Sequence, residues 1–222
     1  MGIIFGHTGT AEPAYTVLHS YSTPIKFEVR RNPSYFIAEV PMEGNNRENN
    51  SFSILAKYIG VFGKPENEGA QSLSMTSPVL LEKEKSLAKQ ENVSAAVTAP
   101  VAAQIQRDNK MAFVLPFHFK SLSEVPKPTD SRVVLSEVPS KIVAVLKYSG
   151  WYSSPESMRY RKELVSALKS TGLIEEAVDE ADVKWEVAQY HPPFTLPFLR
   201  RNEIWVELDK EPPSEEPSTA RT

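Results

Sequence analysis

Alternating apolar and polar residues predict eight short β-strands along this chain. Segments with this period of two, bounded by proline, glycine or polar turn residues, occupy residues 25–29, 35–40, 72–81, 111–119, 132–138, 141–148, 183–189 and 203–208. Asn32-Pro33-Ser34 and Pro139-Ser140 each separate two neighbouring strands by only a few residues. We therefore predict a β-hairpin at each of these two turns.

Two segments show the period of an α-helix instead. Residues 51–59 are followed by Gly60, and residues 155–170 are preceded by Ser154, a good N-cap, and followed closely by Gly172. The order strand, strand, helix, strand, strand thus occurs twice along the chain. This order predicts an α+β domain, a mostly antiparallel sheet with a pseudo-twofold relation and two helices packed on it.

The first helix carries more apolar residues than one buried face requires. One stripe, which we expect to face the sheet, consists of Phe52, Leu55, Ala56 and Ile59. A second stripe of Ile54, Tyr58 and Val61 follows the same spacing but points elsewhere, so apolar residues cover about 220° where a surface helix needs only about 100°. The second stripe therefore needs a cover, which is either more protein, a ligand or a partner.

A stiff segment before the last strand places aromatic rings beside cationic side chains. Its prolines are Pro192, Pro193 and Pro197, its rings are Phe194 and Phe198, and its cations are Arg200 and Arg201. Proline fixes φ and lacks a backbone donor, so this segment has few conformations and little ordering cost on binding. It suits a flat, apolar, anionic molecule. The alternative is a rigid edge loop that covers the core, with Arg201 paired to Glu203.

Composition removes several classes of function. The net charge of −3 offers no bulk attraction for nucleic acid, and the absence of cysteine excludes disulfides and thiolate metal sites. No apolar run approaches the roughly 18 residues that a membrane span requires, so we expect no membrane span. The N-terminal residues lack the basic region of a signal peptide. A cytoplasmic location is therefore expected.

The main domain is flanked by an arm and a tail and contains a charged insertion. We predict a flexible arm at residues 1–12, a domain at residues 13–209 and a disordered acidic, proline-rich tail at residues 210–222. Met75-Thr76-Ser77-Pro78-Val79 recurs as Val97-Thr98-Ala99-Pro100-Val101, with the charged residues 82–86 between the copies. We interpret the repeat as a duplicated strand-edge motif with an exposed insertion, because an internal proline confines a strand to an edge or bulge.

Several motifs together resemble the SOUL heme-binding protein family over about residues 14–208. The carrying motifs are Met75-Thr76-Ser77-Pro78-Val79, the turn at residues 190–193 and Arg200-Arg201-Asn202-Glu203-Ile204-Trp205. Residues 55–68 resemble the plant branch in particular. The resemblance implies a distorted antiparallel β-barrel built from two βαββ-like pseudo-repeats with two flanking helices. It also implies binding of heme or another tetrapyrrole without known catalysis.

The resemblance places the tetrapyrrole between the first helix and the loop at residues 190–201. The predicted binding residues are Ile54, Lys57, Tyr58, Val61, His191, Pro193, Phe194, Phe198, Arg200 and Arg201. The ligand is expected to be bound non-covalently and reversibly, as in a carrier or buffer, with a porphyrin as partner and a protein as donor or acceptor of heme. We expect a monomer.

Histidines offer weak candidates for an iron ligand. In some animal members of the family, a histidine just after the first strand is proposed to ligate iron. The resemblance places Arg31 at that position here, and arginine cannot ligate iron. His191 is the best remaining candidate because it lies in the predicted binding loop, whereas His7, His19 and His118 form no spaced metal pair. We therefore expect no fixed protein axial ligand and no metal site.

Energetics predict that apolar contact would set the affinity. Micromolar binding requires about 8 kcal/mol, whereas an exposed pair between a propionate and a cationic side chain contributes about 0.2–1 kcal/mol. Ile54→Glu should therefore weaken hemin binding far more than Arg200→Ala. The alternative function is a protein-interaction module that uses the same helix face and loop. An enzyme is not expected, because Glu39, Glu43 and Glu203 show no nucleophile–base pattern, and strand alternation allows Glu39 and Glu203 to face outward.

Overall fold

The computed structural model describes residues 10–42, 47–82, 109–151, 154–191 and 195–212, and these residues form nine strands and two α-helices. The strands are β1 (Thr16–Tyr21), β2 (Phe27–Asn32), β3 (Tyr35–Pro41), β4 (Val79–Glu82), β5 (Lys110–Val114), β6 (Val134–Val138), β7 (Lys141–Tyr148), β8 (Trp185–Gln189) and β9 (Asn202–Leu208). The helices are α1 (Arg47–Ile59) and α2 (Ser154–Ser170).

All nine strands belong to one antiparallel sheet in the order β1-β2-β7-β9-β8-β4-β5-β3-β6. Strands β2 and β3 occupy the second and eighth places, yet only Pro33 and Ser34 separate them along the chain. Three residue steps span at most about 11 Å, so the sheet must curl until its two ends approach each other. The predicted α+β class, with an antiparallel curled sheet and two helices, is confirmed.

The two predicted hairpins are wrong. Strand β2 pairs with β1 and β7, β3 pairs with β5 and β6, and β6 does not pair with β7. The physical reason lies in the turn residues. A two-residue hairpin loop of type I′ or II′ requires a positive φ at its first residue, which Pro33 and Pro139 cannot adopt. Each link therefore carries the chain between the two ends of the curled sheet, and the Ser140 hydroxyl donates to the Asn32 carbonyl oxygen at 2.8 Å.

The strand pairings of the first half correspond to those of the second. If β2, β3, β4 and β5 are exchanged with β6, β7, β8 and β9, the β3–β5 pair becomes β7–β9 and the β2–β7 pair becomes β6–β3. This correspondence concerns pairing, and the pseudo-twofold relation and βαββ-like repeats stay predictions.

Several predicted boundaries differ from those observed. The sequence did not reveal β1, which is an edge strand with an irregular register between Val17 and His19 and no clean alternation of burial. The predicted strand 72–81 is limited to β4, which begins directly after Pro78, and the predicted strand 111–119 ends at Val114, two residues before Pro116. Prolines lack the backbone donor that a strand ladder uses, which accounts for both shortened strands.

The sheet carries one core on each face. The larger core lies between the sheet and the helices and contains Leu55, Leu164, Leu168, Ile204 and Val206 among others. The second core lies on the opposite face and contains Tyr35, Ile37, Leu80, Val143, Tyr190 and Trp205 among others. Strand β9 serves both because its side chains alternate between the faces.

The end regions are described only in part. Residues 10–12 contact the segment at residues 75–78, and the domain bounds, with a flexible arm at residues 1–12, stay a prediction. The Ser77 N–H donates to the Ala11 carbonyl oxygen at 2.9 Å, and the Thr10 and Ser77 hydroxyls lie 2.5 Å apart. Within the described start of the tail, Glu211 pairs with Arg31. The second copy of the repeated motif, at residues 97–101, lies outside the described residues.

Candidate binding surface

Helix α1 ends because Gly60 adopts a conformation that side chains disfavour. Its φ is +88°, and its N–H bonds the carbonyl oxygens of Ala56 and Lys57, both at 3.1 Å. A Cβ atom at this position would lie 2.6 Å from Cγ of Pro65, so only glycine fits. The chain then turns away from the helix axis, which leaves Val61 and Phe62 exposed beyond the helix end.

The protein itself covers much of the second apolar stripe of α1. Tyr58 is only 1% exposed, and its hydroxyl donates to the Pro126 carbonyl oxygen at 2.8 Å. Burial raises the pKa of Tyr58 above its ordinary value, so the phenol stays protonated and can donate this bond. Ile54 is partly buried against the larger core, whereas Lys57 and Val61 are exposed. Of the covers that the sequence left open, namely more protein, a ligand or a partner, the structure shows more protein over Tyr58.

The loop before β9 presents apolar side chains to solvent. Residues Pro197–Leu199 form one 3₁₀ turn, and both Leu196 and Phe198 are exposed. The Gly150 N–H donates to the Pro197 carbonyl oxygen at 2.9 Å, which attaches this turn to the chain that follows β7. Pro193 and Phe194, two further predicted binding residues, lie outside the described residues.

The adjacent arginines of this loop have different surroundings. Cζ of Arg200 lies 4.1 Å from the ring centroid of Trp151, and its Nε donates to the Thr195 carbonyl oxygen at 2.8 Å. Cζ of Arg201 lies 3.5 Å from the ring centroid of Tyr190, and its guanidinium pairs with Glu12. Arg201 is thus engaged within the protein, while Arg200 lies beside an exposed indole.

Glu203 is buried, contrary to the expectation that it could face outward. It is accompanied by Arg30, whose Nη1 donates to Oε2 at 3.1 Å, by the Tyr190 hydroxyl at 2.9 Å and by Nε1 of Trp205 at 2.7 Å. Nε of Arg201 also lies 3.8 Å from Oε1, as the edge-loop interpretation expected. Burial, followed by the nearby Glu203 charge, raises the pKa of Tyr190, so this phenol remains a donor. These contacts fully occupy the carboxylate and fix the start of β9 beneath the loop.

His191 is also tied to the loop. Its Nδ1 accepts a hydrogen bond from the Arg201 N–H at 3.0 Å. A neutral imidazole that accepts at Nδ1 carries its proton on Nε2, so neither ring nitrogen then keeps an unused lone pair for a metal. Among residues 10–42, 47–82, 109–151, 154–191 and 195–212, no group of three potential metal ligands is found.

The segment at residues 75–78 contacts both predicted parts of the site. Ile59 at the end of α1 and Met75 line one small cavity of about 10 Å³, together with Pro116. The Ser77 hydroxyl donates to the Tyr190 carbonyl oxygen at 3.3 Å, at the start of the binding loop. The structure thus links the end of α1 to the loop through this segment.

The small cavities cannot hold a tetrapyrrole. A second cavity of about 40 Å³ is lined by Lys141, Trp205 and Glu207 among others, and it has room for little more than water. A wide, open depression of about 710 Å³ has walls of mixed polarity that include Lys64, Pro65 and Glu66, and none of the described residues that line it is aromatic. Exposed apolar side chains on the surface therefore fit a flat ligand better than these cavities do.

Sequence reasoning missed Trp151 and Leu196. Trp151 follows Gly150 in a short connection, outside any strand or helix period, so no pattern assigned it to a core or to a site. Its only sequence signal is a tryptophan within a polar loop. Of the predicted carboxylates, Glu39 pairs with Lys110 at 2.9 Å, and Glu43 lies outside the described residues.

Fold and surface together define a curled antiparallel α+β domain with exposed aromatic residues beside a cation. The family model described as SOUL heme-binding protein matches residues 10–207, which is most of the chain. The protein therefore belongs to the SOUL heme-binding protein family. The resemblance to the plant branch stays a prediction.

Several solved structures are similar to this chain at low identity. An uncharacterized conserved protein from Listeria innocua is 11% identical, with 89% of this chain and 92% of that chain covered and a TM-score of 0.45. A hydrolase from Listeria innocua is 12% identical, with 89% and 91% covered and a TM-score of 0.43. The C-terminal domain of EcmrR is 12% identical, with 83% and 97% covered and a TM-score of 0.42. At such scores, no ligand or activity is transferred.

No individually curated protein matches this sequence. In the described part of the chain, no helix has both the length and the apolar character that a membrane crossing requires.

Proposed function

We propose that this protein binds heme or a related tetrapyrrole reversibly at its surface, as a carrier or buffer. The observation that carries the proposal is the family match over residues 10–207. The exposed apolar side chains of the loop, next to Arg200, support it because they suit a flat ring with acidic substituents. A carrier requires a protein donor or acceptor of the ligand, and the cytoplasm is the proposed location.

Apolar contact would supply most of the binding free energy. Burial yields about 25 cal/mol per Å² of apolar surface, whereas exposed ion pairs add about 0.2–1 kcal/mol each. Val61 and Phe198 are exposed and available for such contact, and Pro193 and Phe194 belong to the proposed site as well. Lys57 and Arg200 would orient the propionates. Arg201 would mainly hold the loop in place, because it already contacts Tyr190 and Glu12.

We further propose non-covalent binding without a fixed axial ligand from the protein. Arg31 cannot ligate iron, and His191 uses Nδ1 to accept the Arg201 N–H. The bound group would supply its own light absorption and redox chemistry, while the chain binds and orients it. Weak preference for the metal follows, since recognition then depends on the ring faces and the propionates.

An absorbance titration tests the function. Hemin added to the protein should produce a saturable Soret shift, and metal-free protoporphyrin IX should compete for the same site with comparable affinity. Competition is expected because both ligands share the ring and the propionates. If hemin produces no saturable shift, tetrapyrrole binding is refuted and the protein-interaction alternative is favoured. If hemin binds but protoporphyrin IX fails to compete, an iron ligand is present instead.

A second titration tests the helix as part of the site. Val61→Glu should weaken hemin binding more than Arg200→Ala, by the same argument that the sequence supplied for Ile54→Glu. Ile54 packs partly against the core, so Ile54→Glu also requires circular dichroism to exclude unfolding. Val17→Glu on β1 is the matched control, because Val17 is about as exposed as Val61. Equal weakening by the Val61 and Val17 variants would remove α1 from the site.

A further inference from the structure

We infer that Trp151, together with Leu196 and Phe198, forms the main apolar contact for the tetrapyrrole ring, with Arg200 at its edge. We name these four residues the indole patch. This inference rests on the proposed function and adds to it residues from the connection between β7 and α2. It moves the centre of the site from α1 toward the loop.

Exposure singles out the indole patch. Among the residues that the structure describes, the four most exposed large apolar side chains are Phe198 (71%), Phe62 (64%), Trp151 (61%) and Leu196 (56%). Three of these four belong to the indole patch. A cluster of large exposed apolar side chains marks an interaction site, whereas isolated exposed ones need no explanation.

A hydrogen bond holds the two halves of the patch together. The Gly150 N–H donates to the Pro197 carbonyl oxygen at 2.9 Å, so the residues that follow each of them, Trp151 and Phe198, lie on neighbouring backbone. Thr195 is buried within the same loop, and its carbonyl oxygen accepts from Nε of Arg200. The patch is therefore anchored by backbone contacts and does not depend on a ligand for its position.

Charge favours an anionic ring as the occupant. Cζ of Arg200 lies 4.1 Å from the centroid of the Trp151 ring, which places a cation beside an aromatic surface. Despite this contact, most of the Trp151 side chain remains exposed. Two aromatic side chains of this size can each bury about 150–250 Å². A planar ring with carboxylates at its periphery matches both properties, whereas a cationic ligand would be repelled by Arg200 and a neutral lipid would gain nothing from its charge.

The same geometry distinguishes the patch from the α1 surface. Tyr58 is buried and Ile54 is partly buried, so α1 offers mainly Lys57, with Val61 just beyond its end. Phe62 is as exposed as Trp151, and it lies beyond the end of α1, next to Val61. Phe62 thus provides a matched control of equal exposure and similar chemistry.

Substitution of Trp151 tests the inference. Trp151→Ser should raise the dissociation constants for hemin and for metal-free protoporphyrin IX by at least about tenfold, while Trp151→Phe should retain most of the affinity because it keeps an aromatic surface. Phe62→Ser should leave both constants within about twofold. Circular dichroism and thermal unfolding would verify that each variant is folded.

Hydroxyl-radical footprinting of the unmodified protein provides a second measurement. Trp151 is the exposed tryptophan, since Trp185 and Trp205 are both buried. Metal-free protoporphyrin IX, added in the dark, should protect Trp151 and Phe198 from oxidation while Phe62 in the same sample remains reactive. This measurement decides the matter even if Trp151→Ser fails to fold.

The outcomes separate the inference from the function on which it rests. If wild-type protein shows no saturable binding of hemin, the proposed function fails and the inference fails with it. If wild type binds but Trp151→Ser binds equally well, or Phe62 is protected in place of Trp151, only the inference is overturned and the ring lies against the end of α1.

Discussion

At the scale of single residues, neighbours in sequence have different roles. Arg200 and Arg201 appear equivalent in the sequence, yet Arg200 lies over an exposed indole and Arg201 lies over the buried Tyr190 ring. Side chains of adjacent residues in extended backbone point in opposite directions, which accounts for the difference. Only the first of the two is placed to meet a ligand without breaking contacts to Glu12 and Tyr190.

Tyr58 provides a test that separates folding from binding. Tyr58→Phe removes the hydroxyl that donates to Pro126 and leaves a buried carbonyl oxygen without this donor. We expect the free energy of unfolding, measured by urea denaturation, to fall by about 1–3 kcal/mol. The dissociation constant for hemin should not change, because Tyr58 is covered by protein. Weaker hemin binding at unchanged stability would instead support the sequence-based placement of Tyr58 in the site.

At the scale of elements, α1 shows what periodicity can and cannot predict. The spacing of apolar residues located the helix and its buried stripe, because both are local properties of the chain. It could not predict the cover over Tyr58, because Pro126 lies 68 residues further along. Pro33 and Pro139 already excluded two-residue hairpins, although no local signal indicated which strands would pair instead.

The end of α1 allows a prediction with a close control. Gly60→Ala forces a side chain into a left-handed conformation and against Pro65, whereas Gly63→Ala meets a positive φ but nothing within 4 Å. A left-handed conformation costs a non-glycine residue about 1–2 kcal/mol, and only Gly60→Ala adds a clash. Thermal and urea unfolding should therefore show a larger loss of stability for Gly60→Ala. Equal losses would mean that Pro65 moves aside freely.

At the scale of the whole molecule, the sequence predicted the class of fold better than the site. The types and order of the elements follow from local patterns. The prediction that the sheet curls toward a barrel came from the family resemblance. The indole patch was not predictable, because it arises from a backbone contact between residues 150 and 197, which only the fold brings together. Trp151 lies outside every predicted strand and helix, so no hydrophobic pattern singled it out. Leu196 lies in the predicted proline-rich loop, where no pattern distinguished it from its neighbours.

The interleaved pairing also fixes how the molecule can be divided. Strands of the first half pair with strands of the second half at three places, β2 with β7, β3 with β6 and β4 with β8. Neither half therefore forms a complete sheet by itself. Chains cut after Lys120, in the exposed connection between β5 and β6, should each lack a cooperative unfolding transition when produced alone. Mixed together, they should regain it, as followed by circular dichroism.

A fragment that unfolded cooperatively by itself would contradict this dependence. Reassembly from two pieces would make the domain a ready scaffold for split-protein complementation. Each piece could then be fused to one member of an interacting pair, and the colour of a tetrapyrrole bound as proposed would report their encounter.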